Sequence, residues 1–230
     1  MILDALKATI SEDMQGTPLV SVFGLFSVPE SVVVTWILMA GLVLVSLLLT
    51  RNLQKVPGKR QALVELAVGT FNHFCEENLG PHWKSFAPWL FTVSAYLVCA
   101  NLSELVGLSP PTRDLTVTGA LALMSMFLIY GAQFRFRGLK GGLKKFADPT
   151  PLLLPINLME IAIRPLSLCM RLFGNILAAY VIMEMIKTLV PAVIPVVFSL
   201  YFDIFDGLIQ ALVFVFLTTL FVGDSIGAEE

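Results

Sequence analysis

The chain has few charged residues, and this scarcity already excludes several classes of protein. Asp, Glu, Lys and Arg make up 14% of the 230 residues, whereas a soluble domain usually carries about a quarter. Hydrophobic residues make up 57% and the mean hydropathy is +0.83. These values predict an integral membrane protein and not a soluble domain. The net charge of −2 argues against nucleic acid as a partner.

Cysteine and histidine are also scarce. The chain has three cysteines, Cys75, Cys99 and Cys169, and nothing in their spacing predicts a disulfide framework. His73, Cys75 and His82 lie close together in sequence, but their spacing fits no standard ligand pattern, so we predict no metal site. The glycine-rich phosphate loops GxxxxGKS and GxxxxGKT do not occur. We therefore predict no nucleotide and no cofactor.

Long apolar runs are what the sequence does have. A helix needs ~20 apolar residues to cross a bilayer, and the segments that reach this length are 31–50, 85–107, 115–135, 149–189 and 196–222. Segment 60–79 has one polar and one apolar face, so we predict that it lies in the membrane interface. The sequence thus predicts an all-α membrane protein, a single domain over 1–230, with five transmembrane helices and one interfacial helix.

Basic residues predict the orientation of these spans. One group follows the first span and another follows the third: Arg51, Lys55, Lys59 and Arg60, then Arg135, Arg137, Lys140, Lys144 and Lys145. The positive-inside rule places both loops in the cytoplasm. The N-terminus, which is acidic and lacks the basic start of a signal peptide, is then outside, and the C-terminus is inside.

The segment 149–189 is too long for an upright helix. A continuous helix of this length would extend ~60 Å, about twice the hydrocarbon thickness. We therefore expect it to be steeply inclined or to bend, with Pro155, Pro165 and Gly174 as candidate bend points. The last two segments are predicted to form a hairpin of long, tilted helices.

Arg171 is the most informative residue of this segment. A guanidinium is permanently charged, and placing one at bilayer depth costs at least ~2.5–3.5 kcal/mol. At helical spacing Arg171 shares one face, within roughly 40°, with other polar residues: Asn157, Glu160, Arg164, Ser167 and Asn175. Ser167 and Asn157 could instead join neighbouring helices. Glu160 is the expected i, i+4 partner of Arg164.

The last segment has a polar stripe of its own, and it includes two carboxylates within the membrane. At helical spacing the following residues share one side: Ser199, Asp203, Asp206, Gly207 and Gln210. Ionised aspartates are costly in a bilayer and are typical of proton relays or cation sites. On the preceding segment, Tyr180 and Glu184 face away from Arg171.

These residues resemble a known family. The stretch RPLSLCMRLFGNILA, with PINLMEIAI before it and FDGLIQALVFVFLTTLFV after it, is similar to subunit a of F-type ATP synthases, and the resemblance covers nearly the whole chain. It implies a stator against a rotating ring of c subunits, with two offset half-channels that carry H⁺ or Na⁺ to and from the ring carboxylates. The other implied partners are the b subunits of the peripheral stalk, the rest of the complex and membrane lipids.

The resemblance also implies roles for single residues. Arg171 matches the family's essential arginine, which separates the half-channels and promotes ion release from each ring carboxylate. Asn175 and Gln210 match residues that position this arginine. Asp203 matches a protonatable residue of the outer half-channel, and Asp206 is expected to extend that path.

One position departs from the family pattern. Tyr180 stands where the family often has an acidic residue or a histidine, and a phenol with a pKa near 10 relays protons poorly. We hypothesise that Glu184, one turn further on, takes over this role. Glu160 is the candidate for the inner half-channel.

The family implies that the chain is a non-catalytic subunit and that ATP chemistry belongs to its partners. The expected location is a bacterial plasma membrane. An alternative is an autonomous ion transporter or channel, which would conduct ions as an isolated chain. A purely structural assembly subunit is a third reading, and Arg171 and the aspartates argue against it.

Overall fold

The structure is a computed structural model that describes residues 19–22, 26–51, 54–145, 154–189 and 198–227. Within these ranges the main helices are α1 (Glu30–Thr50), α2 (Lys59–Leu79), α3 (Trp83–Leu102), α4 (Leu115–Lys145), α5 (Leu154–Leu189) and α6 (Gly207–Ile226). Short 3-10 turns cover Gly80–His82, Ser103–Val106 and Pro111–Arg113. The prediction of a helical chain is confirmed, and five helices are long and apolar enough to span a membrane.

A small β-hairpin precedes α1 and was not predicted from the sequence. Its strands are β1 (Leu19–Val22) and β2 (Phe26–Pro29), which pair antiparallel with Leu19 opposite Pro29 and Val22 opposite Phe26. Both strands contain β-branched or aromatic residues, which favour strands: Val20 and Val22 in β1, and Phe26 and Val28 in β2. Proline ends the ladder because it has no backbone N–H to donate.

The helix boundaries agree with the predicted spans, with local differences. The segment 60–79 is a helix as expected, although no contact in the structure tests its position in the membrane interface. The third span was predicted to end at 135, but α4 continues to Lys145 across a kink at Gly138 (φ 69°, ψ 171°). Glycine is favoured there because a positive φ is strained for residues with a Cβ. Residues 149–153 and 196–197 lie outside the described residues.

The packed centre of the fold is formed by α3, α4 and α6. Leu90 and Leu97 of α3, Ile129 of α4 and Phe214 of α6 are each at most 2% exposed. α4 also packs extensively along α5, whereas α5 and α6 contact each other at fewer positions. The predicted hairpin of the last two helices therefore depends on a few specific contacts, which are described below.

The outer surfaces of the helices are apolar. On α1 only Ser31 and Val34 are buried, and side chains such as Trp36 and Leu47 are 57% and 66% exposed. A soluble protein rarely exposes so continuous an apolar surface, whereas lipid tails are a suitable surrounding for it.

Helix α5 runs without interruption from Leu154 to Leu189, 36 residues, which corresponds to ~54 Å. Pro155 lies in its first turn, where a missing N–H is tolerated. Pro165 lies inside the helix without ending it, and a Cβ added at Gly174 would meet no atom within 4 Å. The sequence left open whether this segment is one inclined helix or a helix that bends or breaks. The structure has one uninterrupted helix here.

A π-helical turn, Tyr201–Asp206, immediately precedes α6. A π turn accommodates about one extra residue, so the residues before it are rotated by roughly 100° from their positions on a regular helix. The polar residues predicted to share one side from Ser199 to Gln210 therefore do not all face the same way, because those before the turn are rotated relative to those after it.

The loop between α3 and α4 is fixed by Asp114. Its carboxylate accepts hydrogen bonds from Ser31 Oγ at 2.7 Å and from the Thr116 backbone N–H at 2.8 Å. Burial opposes ionisation of this carboxyl, but these hydrogen bonds outweigh burial and lower the pKa of Asp114 below its usual value. The residue thus joins the start of α1 to the start of α4.

Candidate functional site

Arg171 lies near the middle of α5 on a surface that no described helix covers. The residues on this side, which we call the Arg171 face, are exposed or open to space: Ser167, Met170, Arg171, Gly174, Ala178 and Ile182. The opposite side of the helix packs into the fold through Leu168 and Leu172, which are 2% and 0% exposed. Helix α5 therefore directs its arginine away from its own subunit.

Arg171 has no hydrogen bond or ion pair with any other residue in the described part of the chain. Its neighbours on the Arg171 face are apolar or small, so none of them could neutralise the guanidinium. A charge in apolar surroundings requires an acidic or hydrated partner. Within the described ranges Arg171 therefore lacks a counter-charge.

One turn further along α5, Asn175 joins this helix to the last one. Its Nδ2 donates a hydrogen bond of 2.6 Å to Asp206 Oδ2, at the end of the π turn. Asn175 is half-buried, because it lies between the exposed Arg171 face and the side that packs on the protein. The contact joins two residues to which the sequence analysis gave separate roles, Asn175 as a residue that positions Arg171 and Asp206 as part of the outer path.

A polar cleft surrounds this hydrogen bond. It has a volume of about 40 Å³, and its polar lining residues are Asn101, Glu104, Asn175, Tyr180, Asp206 and Gln210. One water molecule needs roughly 10–15 Å³ of such space, so the cleft has room for about three. It lies at the end of the bundle where the loop 103–114 joins α3 to α4, since Glu104 and Pro110 also line it.

Gln210 lines this cleft and has a buried, unsatisfied donor. The residue is 6% exposed, and its buried Nε2 has no hydrogen-bond partner among the described residues. A buried amide without a partner costs roughly 1–3 kcal/mol. Gln210 and Asn175 thus line the same cleft, and within the described part of the chain neither forms a hydrogen bond with Arg171.

The π turn is held in place by Asn101 of α3. Asn101 Nδ2 donates to the Gly207 carbonyl at 2.8 Å, and Thr112 Oγ1 donates to Asn101 Oδ1 at 3.2 Å. A Cβ at Gly207 would lie 2.8 Å from the Asn101 Cβ, so only glycine permits this approach. The three residues fix the backbone that directs Asp206 into the cleft.

At the loop end of the cleft, Arg113 stacks on Tyr180. The Arg113 Cζ lies 3.6 Å from the centre of the Tyr180 ring, within the range of a cation–π contact. The sequence singled out Tyr180 as a departure from the family pattern but did not identify its partner.

The opposite end of α5 carries an ionic cluster. Arg164 donates hydrogen bonds to Glu160 Oε2 at 2.6 Å and to Asp224 Oδ2 of α6 at 3.1 Å. Its guanidinium also lies over the ring of Phe221, 5.0 Å from the centre. The predicted i, i+4 pair of Glu160 and Arg164 is confirmed, and Asp224 is an additional member that lies beyond the predicted end of the last span.

The remaining candidates are placed as follows. The backbone of Asp203 belongs to the π turn, but its side chain lies outside the described residues. Glu184 lies 3.8 Å from Lys187 Nζ and is not among the residues that line the cleft. Its proposed replacement of Tyr180 therefore remains a prediction.

Within the described ranges, no group of three or more His, Cys, Asp and Glu residues is arranged to hold a metal ion. His73 instead lies 3.3 Å from Glu77, and the His82 ring lies 4.3 Å from that of Phe136. Cys75 is fully buried.

Sequence reasoning missed Asn101, Glu104, Arg113 and Asp224. Asn101 and Glu104 could have been noticed, because both are polar residues within the predicted span 85–107. Nothing in the local sequence indicated that Arg113 would contact a residue far along the chain.

The chain is similar in sequence to known proteins over most of its length. The profile of the family described as ATP synthase A chain matches residues 32–223. A Bradyrhizobium protein named ATP synthase subunit a 2 is 36% identical over 94% of this chain and 98% of its own length. ATP synthase subunit a of Moorella thermoacetica is 32% identical over 89% of this chain and 95% of its own. A Propionigenium modestum protein named ATP synthase subunit a, sodium ion specific, is 33% identical over 89% of this chain and 76% of its own.

Proposed function

The chain belongs to the ATP synthase subunit a family, and from this premise we propose that it is the stator that passes H⁺ or Na⁺ to and from a rotating ring of c subunits. The predicted resemblance of the chain to this family is thereby confirmed. The chain is a non-catalytic membrane subunit, and its partners carry the ATP chemistry. Coupling of ion flow to rotation and ATP synthesis is its proposed task.

The observation that carries this proposal is the exposure of Arg171 on an apolar face. A permanent cation that has no counter-charge among the described residues is suited to receive a carboxylate from a neighbouring subunit. The small neighbours Gly174 and Ala178 would let another helix approach closely. A ring carboxylate that arrives at Arg171 would be stabilised as the anion and would release its ion, because a nearby cation favours the charged form.

The cleft around Asp206 is the proposed inner part of the outer half-channel. Asp206 and Glu104 supply carboxylates, Gln210 supplies an unsatisfied amide, and there is room for water. Asp203 is proposed to act on the same path. Asn175 lies between this cleft and the Arg171 face, so it is suited to position the water that connects them. Tyr180 forms part of the wall.

The ionic cluster at the other end of α5 is the proposed start of the inner half-channel. The Glu160 side chain is 45% exposed, so it can contact water while Arg164 holds it. Between Glu160 and Asn175 the helix advances ~22 Å, which separates the two aqueous spaces, and Arg171 lies between them.

The membrane arrangement follows from the basic loops. We infer that the N-terminus is outside and the C-terminus is in the cytoplasm of a bacterial plasma membrane. The ~54 Å of α5 then requires a steeply inclined helix, which would follow the curved surface of a ring. The proposed partners are the c ring, the b subunits of the peripheral stalk and surrounding lipids.

The decisive experiment is Arg171→Ala in the assembled complex. We expect ATP-driven ion pumping by inverted membrane vesicles to be lost while ATP hydrolysis and subunit composition are retained. Ser167→Ala, one turn away on the same exposed face, is the matched control and should pump normally. Normal pumping by Arg171→Ala would refute the stator assignment of this residue. Ion flux through the isolated chain would instead support an autonomous channel.

A further inference from the structure

The end of α1 and the start of α2 border an open cavity that the proposed function does not use. Its volume is about 490 Å³, within the range of roughly 300–1,000 Å³ that is typical of ligand sites. Three of its lining residues are basic, Arg51, Lys59 and Arg60, and two are apolar, Leu48 and Leu49. The cavity shares no lining residue with the cleft around Asp206, so it is a separate feature of the chain.

The three basic side chains of this cavity have no acidic partner in the part of the chain that the structure describes. Arg51, Lys59 and Arg60 form no ion pair and no side-chain hydrogen bond there. Glu65, one turn beyond Gln61, does not line the cavity, and its carboxylate accepts a hydrogen bond from Gln61 Nε2 at 2.7 Å. The cavity thus brings together three positive charges that no described carboxylate in its lining neutralises.

Lys59 and Arg60 occupy a position where positive charge is unfavourable. They begin α2, whose first turn has no acidic residue and no side-chain cap. The N-terminal end of a helix carries partial positive charge, so it attracts anions and repels lysine and arginine. The positive-inside rule explains why basic residues follow α1, but it does not require them to line one cavity. An anion in the cavity would offset this repulsion.

The loop that borders the cavity is fixed to α2 by a glutamine. Gln61 Oε1 accepts a hydrogen bond from the Gln54 backbone N–H at 3.0 Å, and Gln61 Nε2 donates to the Gln54 carbonyl at 2.9 Å. The Gly58 carbonyl accepts from the Ala62 backbone N–H at 2.9 Å. Because Gln54, Gly58 and Gln61 all line the cavity, these hydrogen bonds give it a defined wall.

Apolar side chains around the cavity indicate that its anion belongs to a lipid. Leu48 and Leu49 are exposed at the end of α1, Val56 of the connecting loop is 81% exposed, and Leu63 is exposed one turn after Lys59. A soluble anion gains nothing from these side chains, whereas a phospholipid can place its acyl chains against them. Four basic residues that directly follow a membrane span are also typical of segments that bind anionic lipids.

We propose that this cavity binds the phosphate group of an anionic phospholipid, with Arg51, Lys59 and Arg60 around the phosphate and with Leu48 and Leu49 against the acyl chains. The proposal goes beyond the stator role and requires only that α1 spans the membrane. With the orientation inferred above, the lipid belongs to the cytoplasmic leaflet. The bound lipid would hold the start of α2 at the membrane surface, where the sequence predicts an interfacial helix.

The test uses the assembled complex in nanodiscs of phosphatidylcholine that contain a small fraction of photoreactive phosphatidylglycerol. After illumination, mass spectrometry measures how much of this lipid is attached to residues 48–61. Photoreactive phosphatidylcholine at the same fraction gives the background for lipid that merely surrounds the helices. We expect attachment of the anionic probe at residues 48–61 to exceed this background at least about tenfold, because three cations select for the charged headgroup.

Removing the charges should remove the preference for the anionic lipid. One basic residue beside anionic lipid changes the affinity about fivefold, so we expect Arg60→Gln to lower attachment about fivefold. The combination of Arg51→Gln, Lys59→Gln and Arg60→Gln should lower it to background, and Arg60→Gln alone decides if this combination fails to assemble. Arg60→Lys keeps the charge and should retain most of the attachment. Arg135→Gln, at an exposed arginine of the other basic loop, is the matched control and should leave attachment at residues 48–61 unchanged.

Competition distinguishes the possible sources of the phosphate group. Unlabelled phosphatidylglycerol should reduce attachment of the probe. Inorganic phosphate and glycerophosphoglycerol, which is the same headgroup without acyl chains, should not reduce it at equal concentration. Equal competition by either soluble compound would overturn the assignment of a lipid as the occupant.

Three other results would overturn the site itself. They are equal attachment of the two photoreactive lipids to the parent chain, attachment in Arg60→Gln that equals that of the parent, and a cross-link from residues 48–61 to another subunit in place of lipid. The last result would mean that a protein covers the cavity.

Discussion

Helices α5 and α6 are joined at two places by contacts of different chemistry. At the outer junction a neutral carboxamide, Asn175, binds Asp206 beside a cleft with room for water. At the inner junction a guanidinium, Arg164, binds Glu160 and Asp224 and lies over an aromatic ring. The outer carboxylate receives an amide hydrogen bond, whereas the inner carboxylates share a permanent cation.

This difference indicates which junction can exchange ions. An amide or water bound to a carboxylate can be replaced by an arriving ion at little electrostatic cost. A carboxylate held by a guanidinium would have to give up its counter-charge first, which is costly where water is scarce. We therefore propose that the outer junction takes up ions, while the inner junction fixes the helices and offers a partly exposed Glu160 to the cytoplasm.

The largest expected effect comes from neutralising the outer carboxylate. Asp206→Asn keeps the size of the side chain but removes the charge that would attract an ion. We expect ATP-driven pumping to fall at least about tenfold, the lower range for loss of a group that transfers protons. Initial rates of acidification or of Na⁺ uptake in inverted vesicles measure this effect.

The matched variant at the inner junction is Asp224→Asn. The Asp224 side chain is 51% exposed, and Arg164 still binds Glu160 when Asp224 is neutral. Exposed ion pairs contribute ~0–1 kcal/mol, so we expect pumping to stay within about twofold of the parent rate. Equal losses in the two variants would contradict the proposed division between ion exchange and fixation.

The two junctions were not equally predictable from sequence. Helical spacing was sufficient to pair Glu160 with Arg164, since both are on one helix. The contact of Asn175 with Asp206 joins residues 31 positions apart, and local patterns do not fix which turns of two helices meet. The π turn also shifts the register that regular spacing assumes, so the predicted stripe could not place Asp206 correctly relative to Ser199.

The fold itself was predicted more fully than the site. Apolar runs predict helices because a backbone in lipid must satisfy its hydrogen bonds internally, and this constraint applied to every predicted span. The hairpin β1–β2 and the kink at Gly138 were missed, since short segments and single glycines carry weak signals. The contact of Arg113 with Tyr180 depends on tertiary packing alone.

A further variant tests whether Glu184 belongs to the ion path near the outer junction. The sequence predicts that Glu184→Gln slows ion transport as strongly as Asp203→Asn, if Glu184 replaces the acidic group missing at Tyr180. The carboxylate also pairs with Lys187 at 3.8 Å, so Lys187→Gln is the control that breaks the pair and keeps the carboxylate. We expect Glu184→Gln to slow vesicle pumping and Lys187→Gln to leave it unchanged. Normal pumping by Glu184→Gln would end the hypothesis.

The smallest expected effect concerns the loop between α3 and α4, which Asp114 fixes. Asp114→Ala removes the cap of α4 and the acceptor of Ser31, and loss of such a cap costs ~1 kcal/mol. For a chain of this size that lowers the unfolding temperature by about 2–4 °C. The unfolding temperature is measured on the detergent-solubilised complex during heating, from the reaction of the fully buried Cys75 with a thiol dye. Asparagine caps helices about as well as aspartate, so Asp114→Asn should lower the unfolding temperature less than Asp114→Ala does.

The same variant gives a pH dependence with a defined sign. The pKa of Asp114 is lowered in the folded chain from its usual value of 3.8, so the unfolded chain binds more protons in the range between the two values. The stabilisation is therefore complete above 3.8 and is lost as the pH falls through the folded-state pKa. The difference in unfolding temperature between the parent and Asp114→Ala should be constant from pH 7 to about pH 5 and should shrink below about pH 4. A difference that grows with acidity would contradict an ionised, hydrogen-bonded Asp114, and the loop would then be fixed by its buried Thr112 instead.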